Sequence, residues 1–292
     1  MKKRGAARNW LEWAAVRFVL ATLRVGSFRT GVGVARVWVR LLDLCVPKLR
    51  RVARINLAFA LPGADSERII GESFDSLARM LVTLARLKTR NRGNLGEWIR
   101  YEGLEHFVEA KKRGKGVLFA TAHLGNWELS AFAHGMLTEP MHVVVRALDN
   151  PLLDGEARRL RTMSGNRVIE KRDFARGILR ALERNEAVGI LIDQNVGLAE
   201  GEFVPFFGKP ACVSPGLAKL AAHSGAAVIP GFALWSEGEG RYVLKFYEPM
   251  WGVDTAAVHA KLEEVIRGHP GQWLWMHRRW KTRPAGEGDL YG

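Results

Sequence analysis

A histidine and a glutamate five positions apart, His123 and Glu128, are the side chains best suited to chemistry in this 292-residue sequence. They lie in the segment Ala-Thr-Ala-His-Leu-Gly-Asn-Trp-Glu, directly after the apolar run 117–120. In α/β proteins, active sites commonly lie where a strand gives way to a helix. A neutral imidazole can take the proton from an attacking hydroxyl, and a carboxylate can hold its tautomer and stabilise the imidazolium. The pair therefore predicts transfer of an acyl group to a hydroxyl, with no covalent enzyme intermediate required.

The spacing of this pair limits how the two side chains can meet. Five positions on a regular helix separate two side chains by about 140°, so His123 must lie in the loop before the first helical turn. The small residues Ala122 and Gly125 beside it would let backbone N–H groups approach a reacting oxygen. A plainer alternative is a histidine at a strand end and, in Glu128, an acid in a first helical turn, where the helix dipole favours it.

The elements that would position these residues follow from short β-rich runs alternating with helical stretches. The predicted strands are 116–122, 142–146, 188–192, 226–234 and 241–247. The predicted helices are 66–87, 127–136, 151–163, 174–185, 215–224 and 255–267. This alternation predicts an α/β fold with a central, mostly parallel sheet flanked by helices and an antiparallel pair within 226–247.

Positive charge is concentrated at the start of the chain. The sequence has 44 Lys and Arg against 30 Asp and Glu, and residues 1–60 contain 13 of these bases and only two acids. The bases alternate with Trp10, Trp13 and aliphatic residues, in apolar stretches too short to span a bilayer. We therefore expect residues 1–60 to form a membrane-associating helical extension and residues 61–292 to form the catalytic domain. Packed helices with a solvated basic face are the alternative. A nucleic-acid surface is disfavoured because no nucleic-acid-binding motif accompanies the charge.

The sequence lacks the motifs of several common enzyme classes. It lacks the Gly-x-Ser-x-Gly nucleophile elbow, the phosphate-binding P-loop and the His-Glu-x-x-His metal motif. Its two cysteines, Cys45 and Cys212, are too far apart in sequence to form a zinc-binding pair, and they favour a reducing compartment. We therefore expect neither a metal nor a resident cofactor.

Several blocks, in order along the chain, resemble the bacterial lipid A biosynthesis acyltransferases, relatives of the glycerolipid acyltransferases. The first is His-Leu-Gly-Asn-Trp-Glu after a strand. The others are Arg-Val-Ala-Arg-Ile-Asn-Leu at 51–57, Val-Arg-Ala-Leu-Asp-Asn-Pro at 145–151, Leu-Ile-Asp-Gln-Asn at 191–195, Val-Pro-Phe-Phe-Gly at 204–208 and the Trp- and Arg-rich segment 273–284. The resemblance covers nearly the whole chain and implies the α/β acyltransferase fold.

The resemblance also implies roles for individual residues. His123 would be the general base and Glu128 its partner. The residues implied in substrate binding are Asn126, Arg146, Asp193 and Gln194. The acyl channel would be lined by Trp127, Phe203, Phe206 and Phe207, although the three phenylalanines can equally belong to the hydrophobic core. Asn195 stands where the family usually has an acidic residue. Segment 273–284 would contact headgroups or brace the domain.

The implied reaction moves a fatty acyl chain from a thioester to a hydroxyl of a lipid A-type glycolipid. The implied donor is acyl carrier protein, a small acidic partner, with coenzyme A thioesters as the alternative. A basic stretch that could dock such a partner, or form a solvated helix face or a phosphate-binding rim, contains Arg158, Arg159, Arg161, Arg167, Lys171, Arg172, Arg176 and Arg180. Peripheral or monotopic attachment to the cytoplasmic face of the inner membrane is expected. Other acceptors (a phosphatidylinositol mannoside, a lysophospholipid or an aminolipid) and a catalytically idle membrane-binding relative are alternatives.

Overall fold

A computed structural model describes residues 5–170 and 174–292, and over these ranges the chain forms an α/β fold. The helices are α1 (Ala6–Thr22), α2 (Phe28–Cys45), α3 (Pro47–Ala60), α4 (Ser66–Arg86), α5 (Leu104–Lys112), α6 (Trp127–Leu137), α7 (Pro151–Thr162), α8 (Phe174–Glu183), α9 (Gly216–Ser224) and α10 (Thr255–Gly268). The strands are β1 (Ile99–Glu102), β2 (Val117–Thr121), β3 (Met141–Val145), β4 (Arg167–Glu170), β5 (Ala187–Leu191), β6 (Glu202–Phe206), β7 (Lys209–Val213), β8 (Ala227–Ser236) and β9 (Arg241–Phe246).

Seven of these strands form one sheet in the order β1-β9-β8-β2-β5-β3-β4. Strands β8, β2, β5, β3 and β4 run parallel, whereas β9 is antiparallel to β8 and parallel to β1. The mostly parallel sheet and the antiparallel pair expected from the sequence are both confirmed. The central strands β2 and β5 are neighbours, so their carboxyl ends lie side by side at one edge of the sheet.

Helix starts follow the capping residues in the sequence. Asp65 caps α4 by accepting a hydrogen bond from the Arg68 amide at 3.0 Å, and Asp254 caps α10 in the same way. Asn126 caps α6 and Asn150 caps α7, where Pro151 occupies the first turn. The start of α6 fixes where the loop after β2 must end.

Helices α1–α3 pack on the rest of the protein through a shared core. One hydrophobic cluster contains side chains from α2 and α3, such as Ala35 and Leu57, together with Trp273, Trp275 and Trp280 near the C-terminus. Packing is therefore continuous across residue 60, the boundary expected between extension and catalytic domain. No helix in the described ranges is long and apolar enough to cross a membrane.

Strands β1, β4, β6 and β7 and helix α5 were not expected from the sequence. Strands β6 and β7 form a separate antiparallel hairpin, with Phe207 and Gly208 in its turn at φ of 51° and 72°. Phe207 tolerates this backbone because its ring stacks on Trp273 and contacts Trp275, and its amide donates to Glu263. The other unexpected strands, β1 and β4, lie at the two edges of the main sheet.

Candidate active site

His123 and Asp193 meet at the carboxyl ends of the two central strands. Thr121, the last residue of β2, lies opposite Leu191, the last residue of β5. His123 follows β2 by two positions, and Asp193 follows β5 by two positions. The His123 Nδ1–Asp193 Oδ1 distance is 2.8 Å, and the His123 amide donates to Asp193 Oδ2 at 2.9 Å. Because a carboxylate only accepts, Nδ1 carries the ring proton and leaves Nε2 as the basic nitrogen.

A third donor completes the surroundings of Asp193. The indole Nε1 of Trp273 donates to Asp193 Oδ2 at 2.9 Å, and the carboxylate is buried. Burial opposes ionisation, but the charge of His123 and the hydrogen bonds from His123 and Trp273 outweigh it. The pKa of Asp193 is consequently held well below its ordinary value.

The electrostatics of His123 suit a base that works near neutral pH. Burial disfavours the imidazolium, but the negative charge and hydrogen bond of Asp193 outweigh it and raise the pKa of His123 above 6.5. Among the residues that the structure describes, none forms a hydrogen bond to Nε2 of His123. The ring of Trp127 packs edge-on against the imidazole, with centroids 4.8 Å apart. The imidazole is thus oriented on one side and available to a substrate on the other.

Glu128 does not hold the tautomer of His123, contrary to the pairing expected from the sequence. Its carboxylate binds Arg161 of α7, with Arg161 Nη2–Glu128 Oε1 at 2.5 Å and Arg161 Nε within 3.2 Å of both oxygens. The reason is the register of β2 and β5, which brings Asp193 to Nδ1, whereas Glu128 lies in the first turn of α6 and faces α7. Both side chains of this ion pair are largely buried.

Three of the amides near His123 are engaged within the protein, so these three do not face a reacting oxygen as expected from the sequence. The His123 amide donates to Asp193, that of Gly125 to Gln272 O and that of Asn126 to Ala233 O. Gly125 adopts a φ of 64°, and a Cβ there would overlap the carbonyl of Ala233, so this close approach requires glycine. Positive charge near the site is supplied instead by Arg161.

Asn126, Arg146 and Gln194 were also expected to bind substrate. Asn126 is buried, and its Oδ1 accepts from the Leu129 amide at 3.0 Å, so its side chain caps α6 instead of facing a substrate. Arg146 and Gln194 are exposed just beyond β3 and β5. Within the described ranges neither forms a hydrogen bond or an ion pair with His123, and their roles stay predictions.

An apolar cleft, with about 630 Å³ of empty space when the open solvent at its entrance is included, lies beside the Glu128–Arg161 pair. Helix α6 and strands β2, β3 and β5 form its walls, together with Gly231 of β8 and Phe246 of β9. Its lining residues are Phe119, Thr121, Trp127, Glu128, Ser130, Ala131, His134, Met141, Val143, Val144, Val145, Arg161, Gly189, Leu191, Gly231 and Phe246. Burial lowers the pKa of His134 to about 3, so this histidine is neutral in the cleft. The cleft has the shape and polarity to hold a hydrocarbon chain.

Of the four aromatic residues expected to line an acyl channel, only Trp127 lines this cleft. Phe203 is part of the β6–β7 hairpin, and Phe206 and Phe207 are buried against Trp273 and Trp280. These three phenylalanines lie away from the cleft because the hairpin packs against α10 and the C-terminal segment, not against α6.

The C-terminal segment braces the site through its buried tryptophans and Arg279. Trp273, Trp275, Trp280 and Arg279 are almost fully buried, which excludes these side chains from contact with headgroups. Leu124 and Trp273 form an antiparallel bridge, and the Leu274 amide donates to His123 O at 3.1 Å. Sequence reasoning missed Trp273 as the donor to Asp193 and Arg161 as the partner of Glu128. No local spacing links these pairs, since 80 and 33 residues separate them.

Comparison with known proteins identifies the family. The family model for the bacterial lipid A biosynthesis acyltransferase matches residues 2–282. The lipid A biosynthesis palmitoleoyltransferase of Escherichia coli (strain K12) is 32% identical over 97% of this chain and 95% of its own length. The lauroyltransferase of the same organism is 26% identical over 97% of this chain and 95% of its own length. Its myristoyltransferase is 24% identical over 83% and 78%. The chain belongs to the bacterial lipid A biosynthesis acyltransferase family, and it is an acyltransferase.

Proposed function

We propose that this acyltransferase moves a fatty acyl group from a thioester to a hydroxyl of a lipid A-type glycolipid, with His123 as the general base. The observation that carries the proposal is the pair formed by His123 and Asp193 next to an apolar cleft. Asp193 holds the proton on Nδ1, which leaves the lone pair of Nε2 free to accept the hydroxyl proton. The relatives named for lipid A acylation support this choice of acceptor.

The reaction balances without a covalent enzyme intermediate. Nε2 of His123 takes the hydroxyl proton as the acceptor oxygen attacks the thioester carbonyl carbon. The tetrahedral intermediate then collapses, the carbon–sulfur bond breaks, and the imidazolium returns the proton to the thiolate sulfur. Asp193 stabilises the imidazolium that forms between the two proton transfers, which is consistent with its low pKa.

Arg161 and the cleft supply the remaining requirements of this reaction. Glu128 fixes the guanidinium of Arg161 in the lining of the cleft, where its positive charge can stabilise the oxyanion of the tetrahedral intermediate. The acyl chain would lie along the apolar walls behind Trp127, so that the thioester carbonyl sits between Arg161 and His123. Positioning of this kind contributes as much to rate as proton transfer does.

The donor in this proposal is acyl carrier protein. Arg159, Arg176 and Arg180 are exposed on α7 and α8, close in the chain to Arg161, and would attract an acidic partner. Two further bases counted from the sequence, Lys171 and Arg172, lie outside the described residues. Coenzyme A thioesters carry phosphates that would favour the same basic face. The two donor classes are therefore distinguished by comparing the rates of acyl transfer from each.

Attachment to the cytoplasmic face of the inner membrane completes the proposal. Helices α1 and α2 expose large apolar side chains between arginines, among them Trp10, Leu11, Phe18, Leu41 and Leu44. Apolar and basic side chains in this arrangement favour an anionic bilayer interface, where the acceptor lipid resides.

The test is acyl transfer by the purified full-length protein, with a panel of acyl carrier protein and coenzyme A thioesters and with lipid A precursors and lysophospholipids as acceptors. Mass spectrometry should show a glycolipid gaining one acyl group. His123→Ala should lower the rate by about 10²- to 10⁴-fold, whereas His223→Ala, an exposed histidine on α9, should leave it unchanged. Acylation of a lysophospholipid alone, or full activity in His123→Ala, would contradict the proposal.

A further inference from the structure

A second, basic pocket lies between the start of α3 and the C-terminal segment. It encloses about 850 Å³ of empty space, including the open solvent at its mouth, and three cationic side chains line it: Lys48, Arg278 and Lys281. No carboxylate is part of its lining, and among the described residues none forms an ion pair with these three cations. Three converging positive charges without a counter-charge suit an anionic ligand.

Arg278 is held in place without using its whole hydrogen-bonding capacity. Its guanidinium lies 5.3 Å from the ring centre of Tyr291, and its Nε is buried with no hydrogen-bond partner. Lys48 belongs to the first turn of α3, a helix start that no side chain caps and that carries the positive end of the helix dipole. Lys48 at the start of α3, Arg278 and Lys281 therefore bring positive charge to one concave surface.

The pocket is next to the catalytic pair. His277 on its wall accepts a hydrogen bond from the Asn195 amide at 3.3 Å, and Asn195 follows Asp193 by two positions. Burial lowers the pKa of His277, which leaves the pocket's positive charge on its two lysines and Arg278. The basic pocket and the apolar cleft have no lining residue in common, and they involve different elements around His123 and Asp193.

We propose that the pocket of Lys48, Arg278 and Lys281 binds a phosphate group of the acceptor lipid and so places the acceptor hydroxyl at His123. The inference rests on the proposed function, in which the apolar cleft holds the acyl chain of the donor. The acceptor then has to approach from another side, and the basic pocket is the charged surface that adjoins His123 there. A phosphate monoester offers three acceptor oxygens to these cations.

The kinetic test compares a phosphorylated glycolipid acceptor with the same lipid after phosphatase treatment. Lys281→Gln and Lys48→Gln are exposed substitutions, and Lys219→Gln on α9 is the matched control. Each pocket variant should raise KM for the phosphorylated acceptor about tenfold, with no change in KM for the dephosphorylated acceptor or for the donor. An equal rise with the dephosphorylated lipid, or with Lys219→Gln, would overturn the assignment. A rise in the donor KM instead would show that the phosphate belongs to the donor and would also overturn it.

A binding measurement separates this inference from the proposed function. Titration calorimetry with inorganic pyrophosphate, on the full chain in detergent, needs no turnover. Wild type and Lys219→Gln should bind pyrophosphate, and the double variant Lys48→Gln/Lys281→Gln should bind it at least tenfold more weakly. If wild type transfers no acyl group but shows this pattern, the proposed function fails and the anion pocket stands. If wild type binds no pyrophosphate, the pocket assignment fails whatever the activity.

Discussion

At the scale of single residues, the carboxylate of Asp193 accepts three hydrogen bonds, two from His123 and one from Trp273. The two bonds from His123 involve its amide and its ring, so backbone and imidazole are fixed together. This arrangement sets the tautomer and the direction of Nε2 before any substrate arrives. Glu128 is held by Arg161, and both side chains line the apolar cleft.

The Glu128–Arg161 ion pair should act as one unit. Glu128→Gln and Arg161→Lys should each lower kcat/KM, and the double variant should lose less than the sum of the two, with a coupling of about 1–3 kcal/mol. The physical reason is that each change removes the charge-assisted, multi-point contact that positions the other, largely buried group. A double-mutant cycle on kcat/KM checks this. The exposed pair Arg158–Glu170 is the matched control and should couple by under about 1 kcal/mol. Additive losses at Glu128 and Arg161 would show that the two side chains act independently and not as a coupled pair.

The residue types at the site could be predicted from the sequence, but their partners could not. His123 follows from a polar motif after an apolar run, and Asp193 was a candidate because it ends a strand. Seventy residues separate these two side chains, and their contact depends on the register of β2 against β5. The five-residue spacing favoured Glu128 because local spacing was the only geometry that the sequence offered.

At the scale of elements, the C-terminal segment ties the start of the chain to the site. Asn56 of α3 donates to the carbonyls of Trp275 and His277 at 2.8 and 2.9 Å. Its Oδ1 accepts from the Tyr291 hydroxyl, which in turn accepts from the Trp280 amide. This buried network holds the segment that carries Trp273 and thereby supports Asp193.

Loss of this network should destabilise the whole fold. Asn56→Ala leaves two buried carbonyls and one buried hydroxyl without their partner, and should lower the free energy of unfolding by about 2–4 kcal/mol. Tyr291→Phe leaves the Trp280 amide and Asn56 Oδ1 without their partner, and should cost about 1–3 kcal/mol. Urea denaturation followed by tryptophan fluorescence measures both. Equal stability of Asn56→Ala and wild type would show that α3 and the C-terminal segment are not coupled.

The apolar cleft should set the preferred acyl chain. Ala131 lines it from α6, so Ala131→Leu should fill part of it and shift preference toward shorter donors, by about fourfold in kcat/KM per excluded methylene. Competition among thioesters of different length gives the ratio directly. Ala260→Leu, on the exposed face of α10, is the control and should leave the preference unchanged. An unchanged profile in Ala131→Leu would place the acyl chain elsewhere.

Most elements were predictable because their apolar patterning is strong. Strands β2, β5 and β8 are nearly continuous buried runs, and α4 shows a clear buried stripe. Strands β1 and β4 were missed because each is a four-residue edge strand containing charged residues. Hairpin β6–β7 contains Pro205 and Pro210, which argue against strands in a sequence but are tolerated in a two-stranded ribbon.

At the scale of the whole molecule, charge and exposed apolar surface coincide at the N-terminal helices. Leu11 and Phe18 are each 63% exposed, and seven residues separate them, so they share one face of α1. Arginines of the same helix, Arg8 and Arg17, are exposed as well. A surface of this kind would hold the protein at the bilayer while the sheet and site remain in water.

Removing this apolar surface should weaken membrane binding. The double variant Leu11→Ser/Phe18→Ser should reduce partitioning onto anionic phospholipid vesicles by at least tenfold, since each side chain contributes about 1.5–3 kcal/mol when buried in the interface. Val108→Ser, which removes an exposed apolar side chain on α5, should leave binding unchanged. Sedimentation with sucrose-loaded vesicles measures the partitioning. Equal losses in both variants, or none in either, would contradict an interfacial role for α1.

In the proposed reaction, neutral His123, held by Asp193, is the base. The pH dependence of single-turnover acyl transfer tests it most directly, because the active form is the neutral imidazole and the rate must rise as pH passes the His123 pKa. Since the charge of Asp193 raises that pKa, the pH–rate profile of wild type should have its ascending limb above pH 6.5.

In Asp193→Asn the limb should move to lower pH, with a plateau about 10²- to 10⁴-fold lower. Glu128→Gln should shift the limb less, because Glu128 raises the His123 pKa only through its more distant charge. If the limb moves in Glu128→Gln and stays in place in Asp193→Asn, then Glu128, and not Asp193, is the carboxylate partner of His123.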